Sequence, residues 1–435
     1  MTCRSATRSA TTRLEPRRLP GRVGPLLLLT AAAWLLTVPA GAYAVLSHEA
    51  LVDAAWDAAI VPRLRERFAG VSEDQLKRAR AFAYGGCLIQ DMGYHPYGNR
   101  LFTDLTHYVR TGDFVSALVA EAADLDEYAF ALGAVAHYAG DGNGHPIGIN
   151  RAVPLAYPRL RRKYGDLIAY ADDPKAHLRV ELGFDVVQMA TGRYRAPAYV
   201  DLIGFEVATP VLERAFQRTY GLEMKDLFTD LERAVGSYRR TVSYLLPELT
   251  RIAWKTKQEE IRQLDPSARE ANFVFRFPRS EYERRFGTRS PKPGPMERVA
   301  RFLAGVLPKV GPLKVLVPKL PPKEGERLLR ESFTASVENY RALLAEVGTA
   351  AAIEDVNLDL GPTVKAGEYS LADEAYSALL LLLSRKGFGT IPPDLKQNIL
   401  SFYGDLTAPI ATKQDEKRWK RTLHALEQLK DAPRL

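Results

Sequence analysis

The chain has 435 residues, 46% apolar and 26% charged, a globular balance that excludes disorder or low complexity outside the extreme N-terminus. Its formal charge is +8, but the first 42 residues carry six arginines and one glutamate, a net +5, which leaves +3 on the remainder. That is too little for a strongly basic nucleic-acid binder.

Residues 1–42 read as a signal peptide. Arg4, Arg8, Arg13, Arg17, Arg18 and Arg22 form a basic stretch, and Leu26 to Val38 is an apolar run too short to span a bilayer. Ala40-Gly41-Ala42 fits the small-x-small cleavage pattern and places the cut before Tyr43. A secreted or periplasmic location is therefore expected. Cleavage would remove Cys3 and leave Cys87 alone, so core packing or metal must replace disulfides.

Beyond the leader the apolar periodicity is helical, with no convincing run of alternating β-branched residues. Amphipathic helices are expected over residues 48–68, 74–90, 113–140, 174–191 and 228–261, punctuated by Gly112-Asp113, Gly140 to Gly144 and Pro174. Residues 43–260 form one expected domain, and 261–295 a linker around the breaker-rich Pro291-Lys292-Pro293-Gly294-Pro295. Residues 296–435 form a mostly helical C-terminal region of unassigned role. Its Phe302 to Lys323 stretch interleaves apolar residues with lysines and prolines. That composition leaves a peripheral membrane contact open, although the prolines favour a packed connector. The five-leucine run Leu379–Leu383 reads as core, and residues 411–431 as a charged, solvent-facing terminal helix. Nothing in the sequence fixes an oligomeric state.

The chain holds only seven histidines, and five stand near carboxylates at ligand-like spacings. His137 and Asp141 lie four apart, on one helical face, as do His177 and Glu181. An imidazole and a carboxylate so placed can share one metal. A continuous helix would carry His145 about 12 Å along the axis from His137. Gly142 and Gly144 predict a bend instead, which would let His145 serve a second ion with His177 and Glu181. His107 and Asp91 are bland alone, and His95 and His424 lack a ligand-like setting. His48 lies five residues past the expected new terminus, whose freed amine and carbonyl could chelate a metal.

The ordered set Tyr43, His48, Asp91, His107, His137, Asp141, His145, His177 and Glu181 resembles that of the zinc-dependent phospholipase C family and its relatives, the fungal single-strand-specific zinc nucleases. The resemblance spans roughly residues 43–260. It implies an all-α, multi-helix bundle, extended here by the C-terminal region, and three zinc ions. Asp91, His107, His137 and Asp141 would hold one. His145, His177 and Glu181 would hold a second with open positions. The Tyr43 amine and carbonyl, His48 and bridging Asp141 would hold the third. This chain departs from the pattern in four ways: Tyr43 stands where those families usually have Trp, the Asp141–His145 gap is short, the spacing to His48 is nuclease-like, and residues 262–435 have no counterpart.

Clustered zinc suits phosphate-ester hydrolysis, because it makes water nucleophilic near neutral pH and can clamp attacking and leaving oxygens. Asp91 and Asp141 are the expected catalytic carboxylates, Asp91 to orient or deprotonate the water. The substrate is expected to be a phospholipid or another phosphodiester, with no stable nucleic-acid partner. Tyr94, Tyr97, Phe102 and Tyr108 could line a pocket for a head group or for bases, or pack as core. A single-strand-specific nuclease and a non-catalytic, zinc-stabilised binding protein are the alternatives. The absence of cysteine ligands and the three-residue second set favour catalysis. The four-residue His-to-carboxylate spacing does not fit the Glu-x-x-His motifs of di-iron bundles.

Overall fold

In the computed structural model, residues 44–194, 196–201, 203–275, 284, 317–349, 352–389 and 391–432 are described. Tyr43, the leader and most of the Pro/Lys-rich stretch lie outside them. The described residues are predominantly helical, with no strand among them. The principal helices are α1 (Val45–Ala55), α2 (Glu73–Gly86), α3 (Arg100–Tyr108), α4 (Thr111–Glu121), α5 (Leu125–Asn143), α6 (Pro174–Ala190), α7 (Thr209–Tyr220), α8 (Leu231–Leu264), α9 (Lys323–Glu346), α10 (Ser370–Arg385), α11 (Pro393–Phe402) and α12 (Glu416–Asp431). No described helix is long and apolar enough to cross a membrane.

Local chemistry sets most boundaries. Ser72 and Gln75 form a capping box at the start of α2. Asp173 caps α6 through the Ala176 N–H, with Pro174 in the first turn, where a missing N–H costs nothing. The expected helix 113–140 is two helices. Residues 122–124 leave the helical conformation, and Asp124 starts α5 by accepting from the Glu127 N–H. The expected helix 74–90 ends at Gly86, and a 3-10 turn, Ile89–Tyr94, follows.

Helix α5 is the axis of the molecule. Residues Glu127 through Asp141 are all buried, as expected of a helix that is apolar on every side. Helix α2 crosses it at backbone contact. A Cβ on Gly133 would stand 2.1 Å from the Ala83 carbonyl oxygen, so only glycine permits the crossing. A continuous core runs from Leu51 through Phe130 and Leu132 to Tyr340, Leu344, Leu379 and Leu429. The C-terminal region therefore packs onto the same core as α5. Tyr340 of α9 donates to the Leu132 carbonyl at 2.9 Å. Helix α12 is amphipathic rather than wholly solvent-facing, because Thr422, Ala425, Leu426 and Leu429 are buried.

Between α9 and α10 the chain crosses the face of α3–α5 as a strap. Thr111 donates to the Val356 carbonyl at 2.7 Å, Tyr138 to that of Glu354 at 2.7 Å, and the Leu358 N–H to that of His107 at 3.0 Å.

Candidate metal centre

The backbone of α5 stays helical past Asp141. The backbone continues as a π-helical turn, Gly144–Ile149, and the glycines expected to bend it adopt helical geometry instead. A π turn adds a residue to the turn and re-aims the side chains that follow. His145 thereby faces His177 and Glu181 on α6, and one ligand atom from each lies within 4.8 Å of the others.

The first cluster gathers three elements around the C-terminal half of α5. His48 comes from α1, Asp91 from the 3-10 turn, His107 from the last turn of α3, and His137 and Asp141 from α5. Asp141 Oδ2 stands 3.3 Å from His137 Nε2 and 3.4 Å from His107 Nε2. Its Oδ1 stands 3.3 Å from His48 Nε2, and Asp91 Oδ1 is 3.5 Å from His107 Nε2. All five residues are buried. Gly140 makes room for His48: a Cβ there would lie 3.1 Å from His48 Nδ1 and 2.9 Å from Leu51 Cδ1. The His48 and His137 rings stack with centroids 4.5 Å apart.

Hydrogen bonds to the backbone fix the ring tautomers. His107 Nδ1 lies 2.8 Å from the Thr103 carbonyl and His137 Nδ1 3.0 Å from that of Cys87. Each Nδ1 must be the donor, so in the neutral ring that a metal requires each Nε2 presents a lone pair. These two Nε2 atoms stand 3.2 Å apart. Facing lone pairs repel unless a cation lies between them. Ligands of a tetrahedral zinc at about 2.0–2.1 Å stand about 3.3–3.4 Å apart, which matches the spacings of this cluster. Burial works to raise the Asp141 carboxyl, but His137, His107 and His48 outweigh it and hold the group well below the usual range. Asp91 is likewise lowered, chiefly by His107 and His137, against burial.

The second cluster is equally telling. His177 Nε2 donates to the Ile168 carbonyl at 2.7 Å, leaving Nδ1 bare and 3.9 Å from Glu181 Oε1. Burial, then the neighbouring His145, pushes His177 down to about 3, so it is neutral and able to ligate. Neither oxygen of the buried Glu181 carboxylate has a hydrogen-bond donor among the described residues. Burial, reinforced by Asp141, Asp91 and Asp359, pushes its carboxyl well up. A buried carboxylate without donors is costly unless a cation compensates it. The donor set, three imidazoles and at most four carboxylate oxygens in the first cluster and two imidazoles with a carboxylate in the second, has the chemistry zinc prefers.

Of the nine expected ligands, eight lie in these two clusters, and Tyr43 falls outside the described residues. The four aromatic candidates make no open platform. Phe102 packs in the core against Phe114, Phe216 and Phe228, Tyr94 and Tyr108 are buried, and the Arg233 guanidinium covers the Tyr97 ring at 3.8 Å. His95 is an interior residue edge-on to Tyr238, lowered to about 4 by burial.

Two contributors carried no recognisable signal in the sequence. Asp185, on α6, accepts from the Leu46 N–H at 3.0 Å and the Ser47 hydroxyl at 2.6 Å, tying the start of α1 beside the centre. Asp359, on the strap, places Oδ1 3.2 Å from His145 Nε2. Asp359 sits in a turn, Asn357 to Pro362, where the Asn357 side-chain oxygen accepts from the Asp359 and Leu360 N–H groups.

Residues 47–230 match a family model described as zinc dependent phospholipase C. The match contains His48 through Glu181 and stops at the residue that caps α8, so the strap and the C-terminal helices lie outside it. No curated protein and no solved structure matches the chain.

Proposed function

We propose that this chain, whose residues 47–230 match the zinc-dependent phospholipase C family model and whose described residues are helical without strands, is a secreted zinc metallohydrolase cleaving a phospholipid at its phosphodiester in the phospholipase C manner. The observation that carries this reading is the pair of Nε2 atoms of His107 and His137, 3.2 Å apart beside Asp141, with each Nδ1 spent on a backbone carbonyl.

In this reading His107, His137, Asp91 and Asp141 hold one zinc, and His145, His177 and Glu181 a second. His48 and the other oxygen of Asp141 serve a third, with the terminal amine that cleavage before Tyr43 would free. Bound zinc supplies Lewis acidity, which makes water a nucleophile near neutral pH and stabilises charge on phosphoryl oxygens. The chain's own groups do the positioning. The Thr103, Cys87 and Ile168 carbonyls lock three imidazoles in the tautomer that presents a bare nitrogen. Asp141 spans the two halves of the first cluster, one oxygen to each. Asp91, kept ionised by its histidine neighbours, orients the attacking water and accepts its proton.

The lipid reading is favoured over a nuclease because stacking of bases needs exposed aromatic faces, and those nearest the centre are buried or covered. The test is one panel on the purified protein: phosphatidylcholine vesicles, single-stranded DNA and RNA, with and without chelator, alongside metal analysis. Chelator-sensitive release of phosphocholine is expected. Turnover of nucleic acid alone would replace this reading with the nuclease, and a single inert zinc would replace it with a structural role.

A further inference from the structure

We propose that Asp359, carried by the C-terminal strap, is a fourth protein group of the second metal position, so that this position is completed by a part of the chain outside the family match. The inference rests on the metal-holding part of the reading above.

Within the matched segment, the second position has three protein groups, His145, His177 and Glu181. The strap adds a carboxylate. Asp359 is buried, and its Oδ2 accepts from the hydroxyls of Tyr108, at 3.0 Å, and Tyr369. These two phenols fix the carboxylate plane and leave Oδ1 turned to His145 Nε2 at 3.2 Å. That separation belongs with the 3.3–3.5 Å between the histidines and carboxylates of the first cluster. The backbone is pinned as firmly as the side chain. The Asp359 carbonyl accepts from Asn150 Nδ2 at 2.7 Å, and the preceding Leu358 N–H binds the carbonyl of His107, a residue of the first cluster. Leu358 and Val356 also line the approach to Gly142, one residue past Asp141. The strap is therefore seated on the centre at both clusters.

Among the described residues, the one ion pair of Asp359 is with His145. A buried carboxylate with two phenol donors and no Lys or Arg partner calls for a cation, and the second metal position supplies one. Groups that hold or orient a metal-binding imidazole typically change metal affinity about 10–100-fold when removed.

The experiment is a zinc competition titration with a chromophoric chelator on the full-length protein and on D359N. Asparagine keeps an acceptor for Tyr108 and Tyr369 while removing the charge. One zinc per chain is expected to weaken about 10–100-fold, with the remainder unchanged. D359N should add little to the loss already caused by H177A, because both act on one position, whereas it should add fully to H137A. Cobalt substitution gives a second readout. A change in cobalt band intensity assigns the carboxylate as a ligand. Unchanged bands with weaker binding assign it to holding His145; both support the proposal. D359N that binds every zinc as tightly as the natural chain overturns it. Should D359N fold poorly, D359S carries the same comparison. Loss of zinc in D359N while no substrate of the panel is hydrolysed would leave this inference standing and remove the catalytic one.

Discussion

His137 combines three constraints in one side chain: its Nδ1 is spent on the Cys87 carbonyl, its ring stacks on His48, and its Nε2 faces His107 and Asp141. H137A should therefore release zinc as well as abolish hydrolysis, and an active, fully loaded H137A would remove the centre proposed here. Gly140 makes a subtler test. Alanine at an exposed helical glycine ordinarily stabilises by about 0.5–1 kcal/mol. At Gly140 the new methyl would press on Leu51 and on the His48 ring. G140A should instead cost about 1–3 kcal/mol, as overpacking does, and weaken the zinc proposed between His48 and Asp141. Thermal melting and metal titration together read both effects, and a more stable, fully loaded G140A would refute the steric account. Of the eight expected ligands among the described residues, His137, Asp141, His177 and Glu181 were legible because a His-to-carboxylate spacing of four puts each pair on one face, whereas Asp91 and His107 stood out only through the family resemblance. Asp359 and Asp185 were not legible, since an aspartate in an Asn–Gly–Pro turn or mid-helix has no periodic signature, and their partners lie 214 and 138 residues away or thereabouts in sequence.

Asp185 belongs to the scale of elements, because it joins α6 to the first turn of α1. Burial, its largest influence, pushes the carboxyl up to about 7 against the hydrogen bonds from Ser47 and Leu46. An unfolded aspartate titrates near about 3.9. The fold thus prefers the protonated group. The stability this contributes is full below about pH 4 and is lost as pH rises through about 7. D185N, which cannot ionise, should lack that loss. In denaturant titrations of metal-free protein, the natural chain should fall in stability relative to D185N between about pH 4 and 7. A difference that stays constant with pH would dismiss the assignment. Helix starts were read closely at the Ser72 and Asp173 caps. The break at 122–124 was legible in principle, since Asp124 precedes Glu127 by three residues, but the apolar periodicity on both sides masked it. The π turn at Gly144–Ile149 has no local sequence mark. It packs chiefly against α9, where a Cβ on Gly148 would stand 2.4 Å from the Ser332 hydroxyl, so this glycine serves close packing.

At the scale of the molecule, the C-terminal region and the metal-holding segment share one core. The sequence suggested a linker and an appended region, because a Pro-rich stretch separates them and the family pattern ends before it. The structure instead lays α9 along α5 and closes the face of α3–α5 with the strap. Leu329, Tyr340 and Leu344 are each essentially buried, and burying a side chain of that size contributes about 1.5–3 kcal/mol. Three such residues alone rival the net stability of about 5–15 kcal/mol that a folded domain holds. A chain ending at residue 295 would expose the α5 face that Tyr340 covers and remove the Tyr340 hydroxyl's hydrogen bond to the Leu132 carbonyl. It would also lack Asp359 and the Leu358 hydrogen bond to His107. Such a truncated chain should be poorly soluble, lose helical cooperativity in thermal melts, and fail to retain zinc through gel filtration. Adding residues 317–432 back as a separate polypeptide should restore zinc retention if the shared core alone is missing. A truncated chain that melts and loads zinc like the full-length protein would show that residues 47–230 and their neighbours build the centre unaided. The strap would then be a cover on the site rather than a part of it.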